Sequence, residues 1–213
     1  MAFSVDCRLC PRLAGFLDQV RVEHPGYHAL PVGSFGETDG RFLIVGLAPG
    51  MHGANRTGRP FSGDYAGNLL YGSLHKFGFA SSAEPLDAAG NANPLLRLSG
   101  CRITNAVRCL PPQNKPEPVE IRNCNGYVAE ELAILPHGSA VMALGTIAHQ
   151  AVLMAMQLRK SSFAFGHGAR HSLPNGLTLF DSYHCSRYNT QTKRLTAAMF
   201  DTVLGNIVKH LDP

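Results

Sequence analysis

Seven polar or aromatic side chains crowd one glycine-rich stretch of this sequence, GLAPGMHGANRTGRPFSGDYAG at residues 46–67: His52, Asn55, Arg56, Arg59, Phe61, Ser62 and Asp64. The glycines Gly46, Gly50, Gly53, Gly58, Gly63 and Gly67 admit positive φ and let backbone amides approach a ligand, while Pro49 and Pro60 stiffen the path. Such a loop can cradle something planar or anionic. A surface loop is the plainer reading of glycine and proline alone, and the density of functional side chains argues against it. A second chemical signature is Cys7-x-x-Cys10, whose spacing lets two thiolates converge on one metal centre. Cys109 and Cys124, with fourteen residues between them, stand far along the chain.

The elements that must position these groups alternate. An apolar run at residues 42–48, FLIVGLA, suits a strand buried on both faces, and it empties directly into the glycine-rich loop. Further strands are expected at 101–107, 140–144 and 177–182. Helices are expected at 12–22, 64–76, 119–135, 146–158 and 192–211, the last with Leu195, Met199, Val203, Ile207 and Leu211 on its buried face. Asp64 or Ser62 can cap the second of these. Residues 80–99 carry Pro85, Gly90, Asn91, Asn93 and Pro94 without a sustained period and read as a surface excursion. The pattern predicts an α/β chain: a three-layer αβα arrangement around a central four-stranded parallel sheet, in one domain spanning residues 1–213. In such sheets ligands bind beyond the carboxyl ends of the strands. The loop, Asn105, Gly145 and His184 all fall at such ends.

Composition narrows the classes. Hydrophobic residues are 45% and charged residues 16%, an ordinary globular balance, and the formal charge of +4 is compatible with nucleic acid without being diagnostic. No apolar run is long enough to cross a bilayer, and the N-terminus MAFSVDCRLC lacks the pattern of a secretion signal. A cytoplasmic or nucleoid-associated monomer is expected, with its six cysteines used as metal ligands or free thiols before disulfides.

Three stretches carry a family resemblance: GLAPGMHGANRTGRPFSGD, TNAVRCLPPQNKP and YHCSRYNTQTKRLT. In this order they resemble the uracil-DNA glycosylase superfamily, and within it family 5, the type b branch. The resemblance runs from Cys7 to Thr196. It implies an enzyme of base excision repair that hydrolyses the N-glycosidic bond of a damaged base in DNA, leaving an abasic site. A base inside a duplex cannot be reached, so the nucleotide must be extruded into a pocket.

The resemblance places Phe61 to stack on the flipped base and Asn105 to pair with one amide edge of uracil, for which a side-chain amide offers both donor and acceptor. His184 matches a histidine that donates to the base O2 as charge develops there. Gly46, Ala48, Gly50 and His52 complete the expected pocket. Arg187 and Tyr188 are expected in the minor groove, with Arg56, Arg59, Lys193 and Arg194 as further phosphate contacts. Cys7, Cys10, Cys109 and Cys124 resemble the ligands of a [4Fe–4S] cluster, with zinc the alternative for a four-cysteine set.

The sequence also departs from the superfamily. Leu47 and Ala48 follow Gly46 where many members place an Asp, Asn or Glu that orients water. Asp64, the only carboxylate in the loop, is therefore expected to take that role, with His52 as second candidate. Gly50 stands where the strictest uracil enzymes carry a tyrosine that excludes thymine, so activity on other deaminated bases such as hypoxanthine is expected. Cys185 replaces a proline in the HCS motif. The missing polar residue after Gly46 also leaves open a non-catalytic module that recognises damaged or single-stranded DNA.

Overall fold

A computed structural model describes residues 3–212. At its centre lie four parallel strands, β2 (Phe42–Gly46), β3 (Cys101–Asn105), β4 (Ala140–Leu144) and β6 (Thr178–Ser182). Two short antiparallel strands extend the edges: β1 (Phe35–Gly36) pairs with β3, and β5 (Arg170–Ser172) pairs with β6. The sheet therefore has six strands, in the order β1-β3-β2-β4-β6-β5, and the expected four are its parallel interior. Strands of two and three residues are too short to show a period, which is why the sequence does not reveal them.

Every residue of β2 is buried, as expected for a strand covered on both faces. Phe42 and Ile44 face a core shared with α3 (Tyr65–Lys76) and α7 (Ala197–Leu211). Leu43 and Val45 face the opposite core, built with α4 (Pro118–Ala133) and α5 (Thr146–Ala155). The period of two thus sorts one strand's side chains into the two outer layers. A third cluster joins α1 (Pro11–Glu23) to the turn after β3 and to α4, through Leu13, Leu17, Val107 and Tyr127.

The helix expected at 192–211 starts later. Its body begins at Ala197, where the Thr196 side chain accepts from the Met199 amide, and a separate short helix α6 (Arg187–Gln191) is capped by Ser186. The SRYN segment, expected as a loop, is therefore helical. A further short helix, α2 (Ala54–Thr57), lies within the glycine-rich loop. Among the described residues no helix is long and apolar enough to cross a membrane.

Candidate active site

Gly46 and Asn105 are direct partners in the parallel β2–β3 ladder, at the carboxyl ends of both strands. That register puts the Asn105 amide over the Gly46 Cα, and the ring of Phe61 closes on the same point. A Cβ at residue 46 would collide with Asn105 Oδ1 and stand 2.6 Å from Phe61 Cζ. Glycine is required there for space. Asn105 is only 4% exposed, and its Oδ1 has no hydrogen-bond partner in the protein. A buried acceptor left unpaired costs about 1–3 kcal/mol, so one at a strand end facing a loop is a group kept free for a ligand.

Phe61 is held in the left-handed region, φ 57°, a conformation that costs a non-glycine residue about 1–2 kcal/mol. Its neighbours compel it. The Tyr71 hydroxyl donates to Pro60 O at 2.7 Å, and the Phe61 carbonyl packs where any side chain on Gly67 would sit. The Phe61 ring lies 6.0 Å from that of His184, inclined by 30°. His184 follows β6, beside Gly145, and burial lowers its pKa to about 4. The imidazole is thus neutral at neutral pH and keeps one N–H to donate.

Asp64 caps α3, its Oδ1 accepting from the Gly67 amide at 3.0 Å. Burial raises its pKa, opposed by hydrogen bonds from Gly67 and Ala66. Its Oδ2 lies over the glycine turn, 3.2 Å from a Cβ built on Gly50 and 2.6 Å from one on Gly53. The carboxylate therefore belongs to the loop that also carries Ala48 and Gly50. His52 is exposed, with Nδ1 engaged by the Tyr27 hydroxyl at 2.9 Å.

The structure thus brings Gly46, Phe61, Asn105 and His184 together and sets Asp64 against Gly50 and Gly53. A Uracil DNA glycosylase superfamily model matches residues 33–207. The chain belongs to that superfamily. It is similar to the type-5 uracil-DNA glycosylase of Thermus thermophilus, 48% identical over 203 residues that cover 93% of this chain and 90% of that protein. The type-5 uracil-DNA glycosylase of Mycobacterium tuberculosis is 41% identical over 215 residues, 95% of this chain and 77% of that protein. A type-5 uracil-DNA glycosylase of Pyrobaculum aerophilum is 36% identical over 205 residues, covering 94% and 87% respectively.

The residues expected on DNA in this superfamily member separate into two sets. Arg187, Tyr188, Lys193 and Arg194 are exposed, around and just beyond α6, with the Arg194 guanidinium 4.6 Å over the Tyr183 ring. Arg56 and Arg59 are half-buried, and their guanidinium groups bond carbonyls within the protein.

Cys7, Cys10, Cys109 and Cys124 line one small pocket with Leu9, Ala14, Asn123 and Tyr127. All are free thiols. Burial, together with the nearness of the other three cysteines, pushes Cys109 up to about 12, and burial first of all pushes Cys124 up to about 11. The Asn123 amide donates to Cys10 Sγ at 3.5 Å. A soft, four-thiol, largely apolar pocket fits an iron–sulfur cluster. Cys101 and Cys185 are buried elsewhere in the core.

Two features exceed what sequence reasoning supplies. Asn55 is fully buried with neither amide atom hydrogen-bonded in the protein, and only its place in the loop singled it out. His149, His171 and Asp181 cluster with ligand atoms within 4.8 Å of one another. His149 Nδ1 meets Asp181 Oδ1 at 2.8 Å and its Nε2 meets Phe163 O at 2.9 Å. Both partners are acceptors, so the arrangement suits an imidazolium paired with a buried carboxylate. These residues lie far apart in sequence, and no spacing signals them.

Proposed function

We propose that the chain is a monofunctional DNA glycosylase of base excision repair, hydrolysing the N-glycosidic bond of uracil flipped out of DNA. The observation that carries the reading is the unpaired Asn105 Oδ1 beside the Phe61 ring, both closed onto Gly46. Phe61 stacks on the extruded base, and Asn105 pairs with its amide edge. Neutral His184 donates to O2 as the glycosidic bond breaks and negative charge gathers on the base. Asp64 holds and orients the water that attacks the sugar carbon, replacing the polar residue absent after Gly46. The exposed residues Arg187, Tyr188, Lys193 and Arg194 engage the backbone and the gap left in the duplex.

Gly50 leaves the loop without a side chain at a position facing the Asp64 carboxylate, which supports acceptance of hypoxanthine as well as uracil. Cys7, Cys10, Cys109 and Cys124 hold a [4Fe–4S] cluster, which supplies a structural link rather than chemistry at the base. The softness of a four-thiol set in a largely apolar pocket supports a cluster over zinc.

Single-turnover cleavage of oligonucleotides carrying uracil, hypoxanthine or normal thymine tests the reading. Cleavage at uracil and hypoxanthine, with thymine spared, is expected. Lesion binding without cleavage by cluster-loaded protein would replace it with the recognition module.

A further inference from the structure

We infer that Arg56 and Arg59 are positioning residues that clamp the surface excursion at residues 77–100 onto the base-binding loop, rather than contacts to DNA phosphate. Arg56 reaches from α2 with Nε donating to His52 O at 2.9 Å and a terminal nitrogen donating to Gly90 O at 2.6 Å. Arg59 donates to Asn93 O at 2.6 Å and lies 4.4 Å over the Phe35 ring. Two cations from one loop thus end on carbonyls of one excursion, three residues apart at its tip. These contacts take two of the five N–H donors of Arg56 and one of those of Arg59, and what turns both away from a phosphate is their half-burial against the excursion, with Arg59 also stacked on an aromatic face.

The excursion is built to receive them. Bridges between Ala80 and Leu98 and between Leu86 and Ala92 fold it back on itself. Asn93 organises the tip: its Nδ2 donates to Glu84 O at 3.0 Å, and its Oδ1 accepts from the Leu95 amide at 2.9 Å. Leu96 and Leu98 anchor the returning limb in the core.

What the clamp holds is the segment Arg59-Pro60-Phe61. Phe61 is in the left-handed region, and Tyr71 fixes Pro60 from the core side. The Arg59 contact with Asn93 fixes the same segment from the surface side. Strained backbone persists only where its surroundings over-determine it, and releasing one side lets the Phe61 ring leave the position from which it meets the base.

The role rests on the glycosylase reading, and the experiment separates the two. Arg59→Met, Arg56→Met, Asn93→Ala and the Arg59→Met/Asn93→Ala double variant are compared with wild type. The readouts are single-turnover cleavage of uracil duplex, binding as a function of salt, and limited proteolysis of residues 77–100 without DNA. Each single variant is expected to lose at least tenfold in rate, to keep the wild-type salt slope, and to be cut faster within the excursion. The double variant is expected to lose no more than the worse single one, because both changes open the same clamp. Arg187→Ala serves as the phosphate control, lowering the slope by about 0.9. A similar fall in slope for Arg56→Met or Arg59→Met, or additive rate losses, overturns the inference. If wild type cleaves nothing, the glycosylase reading fails while proteolysis still decides the clamp: faster cutting supports it, and unchanged cutting overturns it.

Discussion

Asp64 accepts the Gly67 amide through Oδ1 at 3.0 Å while its second oxygen lies against the Gly50–Gly53 turn. One carboxylate thus serves two oxygens' worth of work, capping α3 with the first and facing the base-binding loop with the second. Asparagine caps helices about as well as aspartate, whereas alanine at such a position costs about 1 kcal/mol. The two roles therefore come apart by substitution. Asp64→Asn is expected to melt within a degree or two of wild type yet to lose about 10²-fold or more in single-turnover rate, the scale of a lost base or water-orienting group. Asp64→Ala is expected to lose both rate and stability. Wild-type rates in both variants would assign the residue to capping alone and return the water to another group.

The two histidines His184 and His149 oppose one another in pH dependence. Burial holds His184 at about 4, well below the ordinary imidazole value of about 6.5. As pH falls through 6.5 the unfolded chain takes up that proton and the native protein does not, so stability declines down to about pH 4. For His149, burial disfavours the charge but the Asp181 hydrogen bond and charge outweigh it, and its pKa is raised. Its stabilising contribution is complete below 6.5 and is lost as pH rises through the raised native value. Thermal melts from pH 4 to 9 are expected to show His184→Gln losing less stability than wild type between pH 6.5 and 4. The deficit of His149→Gln is expected to be largest near pH 6 and to narrow as pH rises. A pH-independent deficit would mean that His149 is neutral in the native protein.

Much of this site is legible in the sequence because its parts follow strand ends. Asn105 and His184 are found by their places at strand ends, Phe61 by the family resemblance of its loop, and Asp64 as the only carboxylate in that loop, before a helical period. What sequence does not reveal is direction. Arg56 and Arg59 stand in the loop among the expected phosphate contacts, yet they turn inward, because carbonyls of a distant excursion are within reach. The edge strands β1 and β5 are invisible for a related reason: their pairing partners, not their own two or three residues, make them strands. The helix at Arg187–Gln191 is set by the Ser186 cap, a single hydrogen bond to the Asn189 amide that competes with a loop reading.

The four cysteines add to the apolar packing and the Arg12–Glu120 ion pair that tie α1 to α4 and to the turn after β3. Cys10 stands at the residue just before α1, Cys109 lies in the turn after β3 only four residues beyond Asn105, and Cys124 sits in α4. Without the proposed cluster, three buried thiols and the half-buried Cys7 would share the pocket with no bonded partner, and the β3 turn would lose one of its ties to α1. Cys109→Ser is expected to abolish the visible iron–sulfur absorbance, lower the iron content of purified protein, and reduce the melting temperature by about 10 °C. That is the effect of a few kcal/mol at about 2–4 °C per kcal/mol for a chain of this size. Cys101→Ala, in the core and outside the pocket, is expected to leave iron content unchanged. Because the pocket is at the far end of the turn from Asn105, loss of the cluster is expected to weaken lesion binding more than the rate of bound substrate. One zinc and no iron per chain in the wild-type protein would overturn the cluster assignment and leave the anchoring argument to the zinc.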